Sequence, residues 1–165
     1  MQATALDQNV QAVVNRAIET HGKSREAMIA ILSDVNDTFG YIPTEAFQEI
    51  TRQVNSPGEQ AFVSQSQLYG LATFYQMLST KPMGRHVIRF CESAPCHVMG
   101  GRVLFQALQD TLSLLPGETS SNGKWSFVLT SCLGVCGVGP VLLVDDDIYG
   151  NVTPEQLPNI LAGYD

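Results

Sequence analysis

Four cysteines stand in two tight pairs, Cys91-x4-Cys96 and Cys132-x3-Cys136, with 35 residues between the pairs. Both pairs lie in loops that contain glycine or proline, Cys91-Glu92-Ser93-Ala94-Pro95-Cys96 and Cys132-Leu133-Gly134-Val135-Cys136-Gly137. Two iron ions bridged by sulfide need four thiolates brought in from two loops, and soft thiolates select iron–sulfur clusters and zinc over hard cations. Zinc tolerates the same short spacings and stays open as a structural alternative, although this half of the chain has elements enough to fold without a metal staple. A dithiol oxidoreductase asks for C-x-x-C at a helix N-terminus, which neither pair has. Two disulfides are the last way to use four cysteines. Clustered spacing and an expected cytoplasmic location weigh against them.

The elements that must position these loops begin after Lys81-Pro82-Met83-Gly84, where the sequence period changes. Residues 85–90 alternate, carry Val87 and Ile88, and deliver their end to Cys91. Residues 100–115 read as a helix with Val103, Leu104, Ala107, Leu108 and Leu112 on one stripe. Residues 125–130 form a second strand that ends just before Cys132. Residues 141–144 and 148–152 suggest a hairpin across Asp145-Asp146-Asp147, and Thr153-Pro154 caps a last helix over 155–161. This β-α-β-β-α order predicts a small mixed sheet with helices packed on it, the shape of a thioredoxin-like fold. If the two cysteine-bearing strands are neighbours, both loops meet at one edge. Pro95 should push Ala94 to an extended conformation and kink the first loop. Gly134 and Gly137 should reach positive φ in the second and let backbone N–H groups approach sulfur, a main lever on cluster potential.

The first eighty residues read as four helices. Leu6, Val10, Val13, Val14, Ala17 and Ile18 make one apolar stripe that His21-Gly22 ends. Ser24 is the expected N-cap of a helix through Met28, Ile31, Leu32 and Val35 to Phe39-Gly40. Pro43 opens a helix carrying Ala46, Phe47, Ile50 and Val54, closed by Asn55-Ser56-Pro57-Gly58. Ser64-Gln65-Ser66-Gln67 fits a capping box for a helix through Leu68, Leu71, Ala72, Phe74, Tyr75 and Leu78, whose aromatics are expected in the core. The predicted organisation is a helical bundle over 1–80 and a cysteine-bearing domain over 81–165.

At 165 residues the chain can bury roughly 70% of its unfolded surface. Net charge is −7, with 4 basic and 8 acidic residues up to position 80 and 5 and 8 beyond it. Without a basic stripe, phosphate-backbone binding lacks its main electrostatic term, so nucleic acid is not an expected partner. Residues 1–14 show no signal-peptide pattern, and no apolar run is long enough for membrane insertion, so a cytoplasmic location is expected. No G-x-G-x-x-G follows a strand, so no nicotinamide or flavin site and no catalytic residue is expected on this chain. Val98-Met99-Gly100-Gly101-Arg102 reads as the start of a helix. His97 follows a cysteine and either hydrogen-bonds a sulfur or packs at a helix start, while His86 and His21 read as packed or helix-end residues. Arg85, Arg89 and Arg102 are placed near the first pair, and Asp145, Asp146 and Asp147 in a solvated turn.

The chain also resembles a known family, the small 2Fe-2S subunit of NADH-oxidising modules. That is the 24-kDa-type subunit of respiratory complex I, with relatives in NAD(P)-linked hydrogenases and formate dehydrogenases. Phe39-Gly40-Tyr41-Ile42-Pro43, residues 68–75, Arg89-Phe90-Cys91, Cys96-His97, Cys132-Leu133-Gly134-Val135-Cys136 and Gly139-Pro140 carry the likeness. The resemblance implies an α+β chain, an N-terminal helical bundle followed by a thioredoxin-like 2Fe-2S ferredoxin domain. It implies that Cys91, Cys96, Cys132 and Cys136 ligate one 2Fe-2S cluster that carries single electrons. It implies a larger flavoprotein partner binding FMN and NAD(H), further iron–sulfur subunits, and a place peripheral to the membrane through the complex. The respiratory complex is the expected setting, with an electron-bifurcating or NAD(P)-linked hydrogenase, a formate dehydrogenase or a zinc-stapled interaction module as alternatives.

Overall fold

The computed structural model describes residues 5–56 and 62–164. The side chain of Leu6 and the expected Pro57-Gly58 stop lie outside what is described. The chain divides into two compact units, Met1–Pro82 and Met83–Asp165.

In the first unit, α1 (Ala5–His21) buries Val10, Val13, Val14, Ala17 and Ile18 along one stripe, and Gly22 ends it at φ 81. A 3-10 turn, Arg25–Ala27, runs into α2 (Met28–Phe39), which stops where Gly40 turns left-handed at φ 75 and donates to the Asn36 carbonyl at 2.7 Å. The expected cap at Ser24 makes no capping bond; its hydroxyl serves the Glu26 carboxylate instead. Helix α3 (Thr44–Val54) starts behind Pro43 and buries Ala46, Phe47, Ile50 and Val54. Ahead of α4 (Gln65–Phe74), Ser64 Oγ accepts from the Gln67 N–H at 3.2 Å and Gln67 Oε1 from the Ser64 N–H at 2.9 Å. The buried residues of all four helices form one cluster. Two expectations are corrected at α4. It ends at Phe74 rather than running through Leu78, and Phe74 is 76% exposed, whereas Tyr75 packs half-buried against the core as expected. Only Leu68 and Ala72, one turn apart, occupy the narrow buried stripe of the helix, and Phe74 falls beside it. A nearly buried carboxylate, Glu49, is held by Arg52 Nη2 at 2.6 Å, Arg52 Nε at 2.9 Å and Gln53 Nε2 at 2.6 Å.

The second unit is a four-stranded sheet in the order β2-β1-β3-β4, from β1 (His86–Cys91), β2 (Trp125–Thr130), β3 (Leu142–Val144) and β4 (Asp147–Tyr149). Strands β1 and β2 pair in parallel, so a crossover is required, and α6 (Arg102–Leu112) supplies it. Strands β3 and β4 continue the sheet antiparallel on the other side of β1. Ile88, Phe90, Phe127, Leu142 and Val144 pack with Leu104 and Leu108 of α6 and Leu157 of α7 (Leu157–Leu161). The helix predicted over 100–115 is shorter, and Val103 is 65% exposed, because Leu104 and Leu108 set the buried face and Val103 lies one residue off it.

The acidic turn is also corrected. Val144 pairs directly with Asp147, leaving Asp145-Asp146 as the turn, with Asp145 left-handed at φ 52. Asp145 Oδ1 accepts from the Val87 N–H at 2.8 Å and Oδ2 lies 2.7 Å from His86 Nδ1, so this residue fastens the hairpin to β1 rather than sitting in solvent. Asp147 accepts from the Tyr164 hydroxyl at 2.8 Å.

Candidate metal centre

Cys91 is the last residue of β1, and Cys132 follows the end of β2 by two residues. The parallel register sets Cys91 opposite Thr130, and the Glu92 N–H donates to the Thr130 carbonyl at 3.1 Å. Both loops therefore leave the sheet at one edge, side by side. The first loop turns through a single helical turn, α5 (Ala94–Cys96), entered from Ser93 at φ −66 and ψ 151. The extended residue is thus Ser93, not Ala94 as expected from Pro95. Proline fits the first turn of a helix, where its missing N–H costs nothing, and the bend moves one residue upstream. Cys91 and Cys96 are buried, packed with Val141 and flanked by Leu133 and Val135.

The second loop is open. Cys132 is exposed, Cys136 is half-buried, and their sulfurs lie 3.3 Å apart. Gly134 adopts φ 85 and aims its N–H at Cys132 Sγ at 3.4 Å, as its position in the loop suggested. Gly137 does not reach positive φ, because the 3-10 turn Cys136–Val138 carries the chain through that bend.

The four sulfurs interact. Burial pushes the Cys91 thiol up, but backbone N–H donors of Ser93 and Leu133, with the Cys96 side chain, outweigh it and hold Cys91 below the ordinary thiol value. Burial first, then the hydrogen bond with Cys91, raises Cys96 against the lowering effect of the Val141 N–H. The bond to Cys132 raises Cys136, with burial and the charge at Cys91 adding to it. The charge at Cys91 is therefore felt by thiols of both loops. Among the described residues, no three His, Cys, Asp or Glu side chains gather as a single-ion site; the thiols are gathered two by two. Two ions that each take two thiolates suit this donor set, and N–H groups aimed at sulfur suit anionic sulfur ligands.

His97 is exposed and lies with Arg102 beside a cavity of about 210 Å³ whose wall includes Cys91. Arg85 is corrected: it precedes the end of β1 opposite Cys91, where its N–H donates to the Gly123 carbonyl at 2.9 Å. Sequence reasoning missed the N–H donors of Ser93, Leu133 and Val141, which are set by chain path and carry no residue-type signal.

The family model for thioredoxin-like [2Fe-2S] ferredoxins matches residues 14–165. A subunit of the NADH-quinone oxidoreductase of Escherichia coli (strain K12) is 36% identical over 140 residues, covering 85% of this chain and 80% of that protein. Its counterpart in Aquifex aeolicus (strain VF5) is 33% identical over 142 residues, covering 86% and 84%. Among solved structures, an NAD+-reducing [NiFe]-hydrogenase in the H2-reduced state matches 79% of this chain and 21% of its own, with a TM-score of 0.62 at 17% identity. At that identity the likeness is one of fold.

Proposed function

Because this chain belongs to the thioredoxin-like [2Fe-2S] ferredoxin family, we propose that Cys91, Cys96, Cys132 and Cys136 hold one 2Fe-2S cluster and that the chain carries single electrons within an NADH-oxidising complex. One observation carries the reading: two thiol pairs leave the paired parallel strands β1 and β2 at the same edge of the sheet. Cys91 and Cys96 from the first loop and Cys132 and Cys136 from the second would hold the cluster. The cluster supplies a one-electron site; the chain supplies its ligands, its cover and its hydrogen bonds. Val141, Leu133 and Val135 shield the inner pair from water, while the N–H groups of Ser93, Leu133, Val141 and Gly134 face sulfur and favour its anionic form.

Hydride chemistry falls to a larger flavoprotein subunit that binds FMN and NAD(H). The bundle of residues 1–80 is the docking part, because an electron carrier acting alone has no use for it. The setting is a respiratory NADH:quinone oxidoreductase, the complex named for the relatives at 36% and 33% identity. No helix among the described residues is long and apolar enough to cross a membrane. Attachment is peripheral in this reading, through the complex, on the cytoplasmic side.

Iron, zinc and acid-labile sulfide on anaerobically purified protein, with an EPR spectrum after dithionite reduction, test the reading. Equal iron and sulfide in a two-to-two ratio per chain, about one unpaired electron on reduction and no zinc are expected. Zinc without sulfide, and no signal, would make the cysteines a structural staple.

A further inference from the structure

Cys96 is flanked by two glycines: Gly101, five residues on at the end of the helical turn His97–Gly101 that leads from Cys96 into α6, and Gly139, just beyond the second cysteine loop. Neither is there for a left-handed backbone: Gly101 has φ −55 and ψ −32, and Gly139 has φ −66 and ψ 159. Gly100 is the contrasting case, at φ 102 with nothing within 4 Å of where a Cβ would stand. A Cβ on Gly101 would stand 2.6 Å from the carbonyl oxygen of Cys96 and 3.0 Å from its carbonyl carbon. It would also meet Phe90 Cζ at 3.5 Å, and the Phe90 ring is buried against Phe105 at 5.5 Å. On the other side, a Cβ on Gly139 would meet Met99 Sδ at 3.1 Å and the Cys96 Cα and Sγ at 3.5 Å each. A thioether can swing aside. The Cys96 carbonyl is backbone bonded to the Cα that carries the sulfur, so pushing it aside strains the segment that places that sulfur.

We propose that Gly101 is the positioning residue for Cys96. Its missing side chain lets the start of α6 seat on the Cys96 carbonyl, and that contact sets where the Cys96 sulfur stands relative to Cys91 and Cys136. Alanine is the better helix former at these backbone angles, so local propensity argues against glycine here and only the approach of Cys96 argues for it. The inference rests on Cys96 being a cluster ligand.

The test compares full-length wild type with Gly101→Ala after anaerobic reconstitution with ferrous iron and sulfide. Far-UV circular dichroism, iron and sulfide content, EPR g-values, reduction potential and the rate of iron removal by a chelator are read for each. The expected Gly101→Ala protein keeps its helix and strand signal, shifts its EPR g-values and potential, and loses iron about tenfold faster, the scale on which supporting contacts act on metal sites. Wild-type g-values, potential and release rate in Gly101→Ala overturn the proposal. So does a Gly101→Ala chain that fails to fold, because the glycine would then serve the whole unit rather than one ligand. Gly139→Ala is the second variant: its methyl displaces the Met99 thioether, so a smaller change than at Gly101 is expected, and an equal or larger one overturns the assignment to Gly101. Failure of the parent reading is distinct, since wild-type protein would then take up no sulfide.

Discussion

The inner thiols, Cys91 and Cys96, are buried against Val141, whereas Cys132 is open to solvent, so the two halves of the site stand in different surroundings. Replacing Cys96 with alanine leaves three thiols for four coordination positions and puts no donor in a dry pocket. We expect iron retention to fall at least about tenfold, measured as iron and sulfide per chain after gel filtration; full retention would remove Cys96 from the ligand set. Asp145 is a second residue with a decided role, since one carboxylate receives the Val87 N–H and meets the His86 ring. Asp145→Ala leaves a half-buried N–H without its acceptor and puts alanine at φ 52, so a loss of about 1–3 kcal/mol is expected in thermal denaturation. A melting curve indistinguishable from wild type would return this residue to the solvated turn that its acidic neighbours suggest.

Among the elements, α4 depends on its start. Ser64 and Gln67 satisfy each other's backbone donors, and Ser64→Ala is expected to cost about 1 kcal/mol in chemical denaturation followed by far-UV circular dichroism. Helix α3 contributes a polar anchor. The Arg52 hydrogen bonds lower the Glu49 pKa below its ordinary 4.5 despite burial, with help from Gln53 and Gln11. Because the folded value is depressed, this contribution is complete above the unfolded pKa and is lost as pH falls through the folded one. Glu49→Gln should therefore destabilise the chain by about 1.5–3 kcal/mol at neutral pH. The gap to wild type should narrow once pH falls below the ordinary Glu value and close as it passes through the lowered folded one. A gap that persists unchanged in acid would show that shape, not charge, is what Glu49 supplies.

On the scale of the whole molecule, the two units bury separate cores. A chain that begins at Met83 keeps the sheet, α6 and all four cysteines. It is expected to assemble the same iron and sulfide and to lose affinity for the flavoprotein subunit, read by co-purification and titration. Unchanged affinity would end the docking role proposed for the bundle; loss of iron would mean that the second unit needs the first to fold.

The sequence by itself determined most of the elements and which side chains are available for chemistry. Strand β2 over 125–130, the Ser64 capping box, the Gly40 stop and the two cysteine pairs are local signals: a period, a cap, a turn residue, a soft ligand. It also carried the family likeness, because those signals stand in a characteristic order. Whatever depended on which surface meets which was decided only in three dimensions. The period that marked Val103 and Phe74 as apolar could not say that Leu104 and Leu108 in one helix, and Leu68 and Ala72 in the other, already set the buried face. Three adjacent aspartates look alike in sequence, yet only the register of β1 with β3 sets Asp145 at the Val87 N–H. The parallel pairing of β1 and β2 brings residues 91 and 132 to one edge, and the glycine doublet at 100–101 divides into one turn and one close approach. Backbone donors and steric gaps belong to the path of the chain, and no residue type announces them.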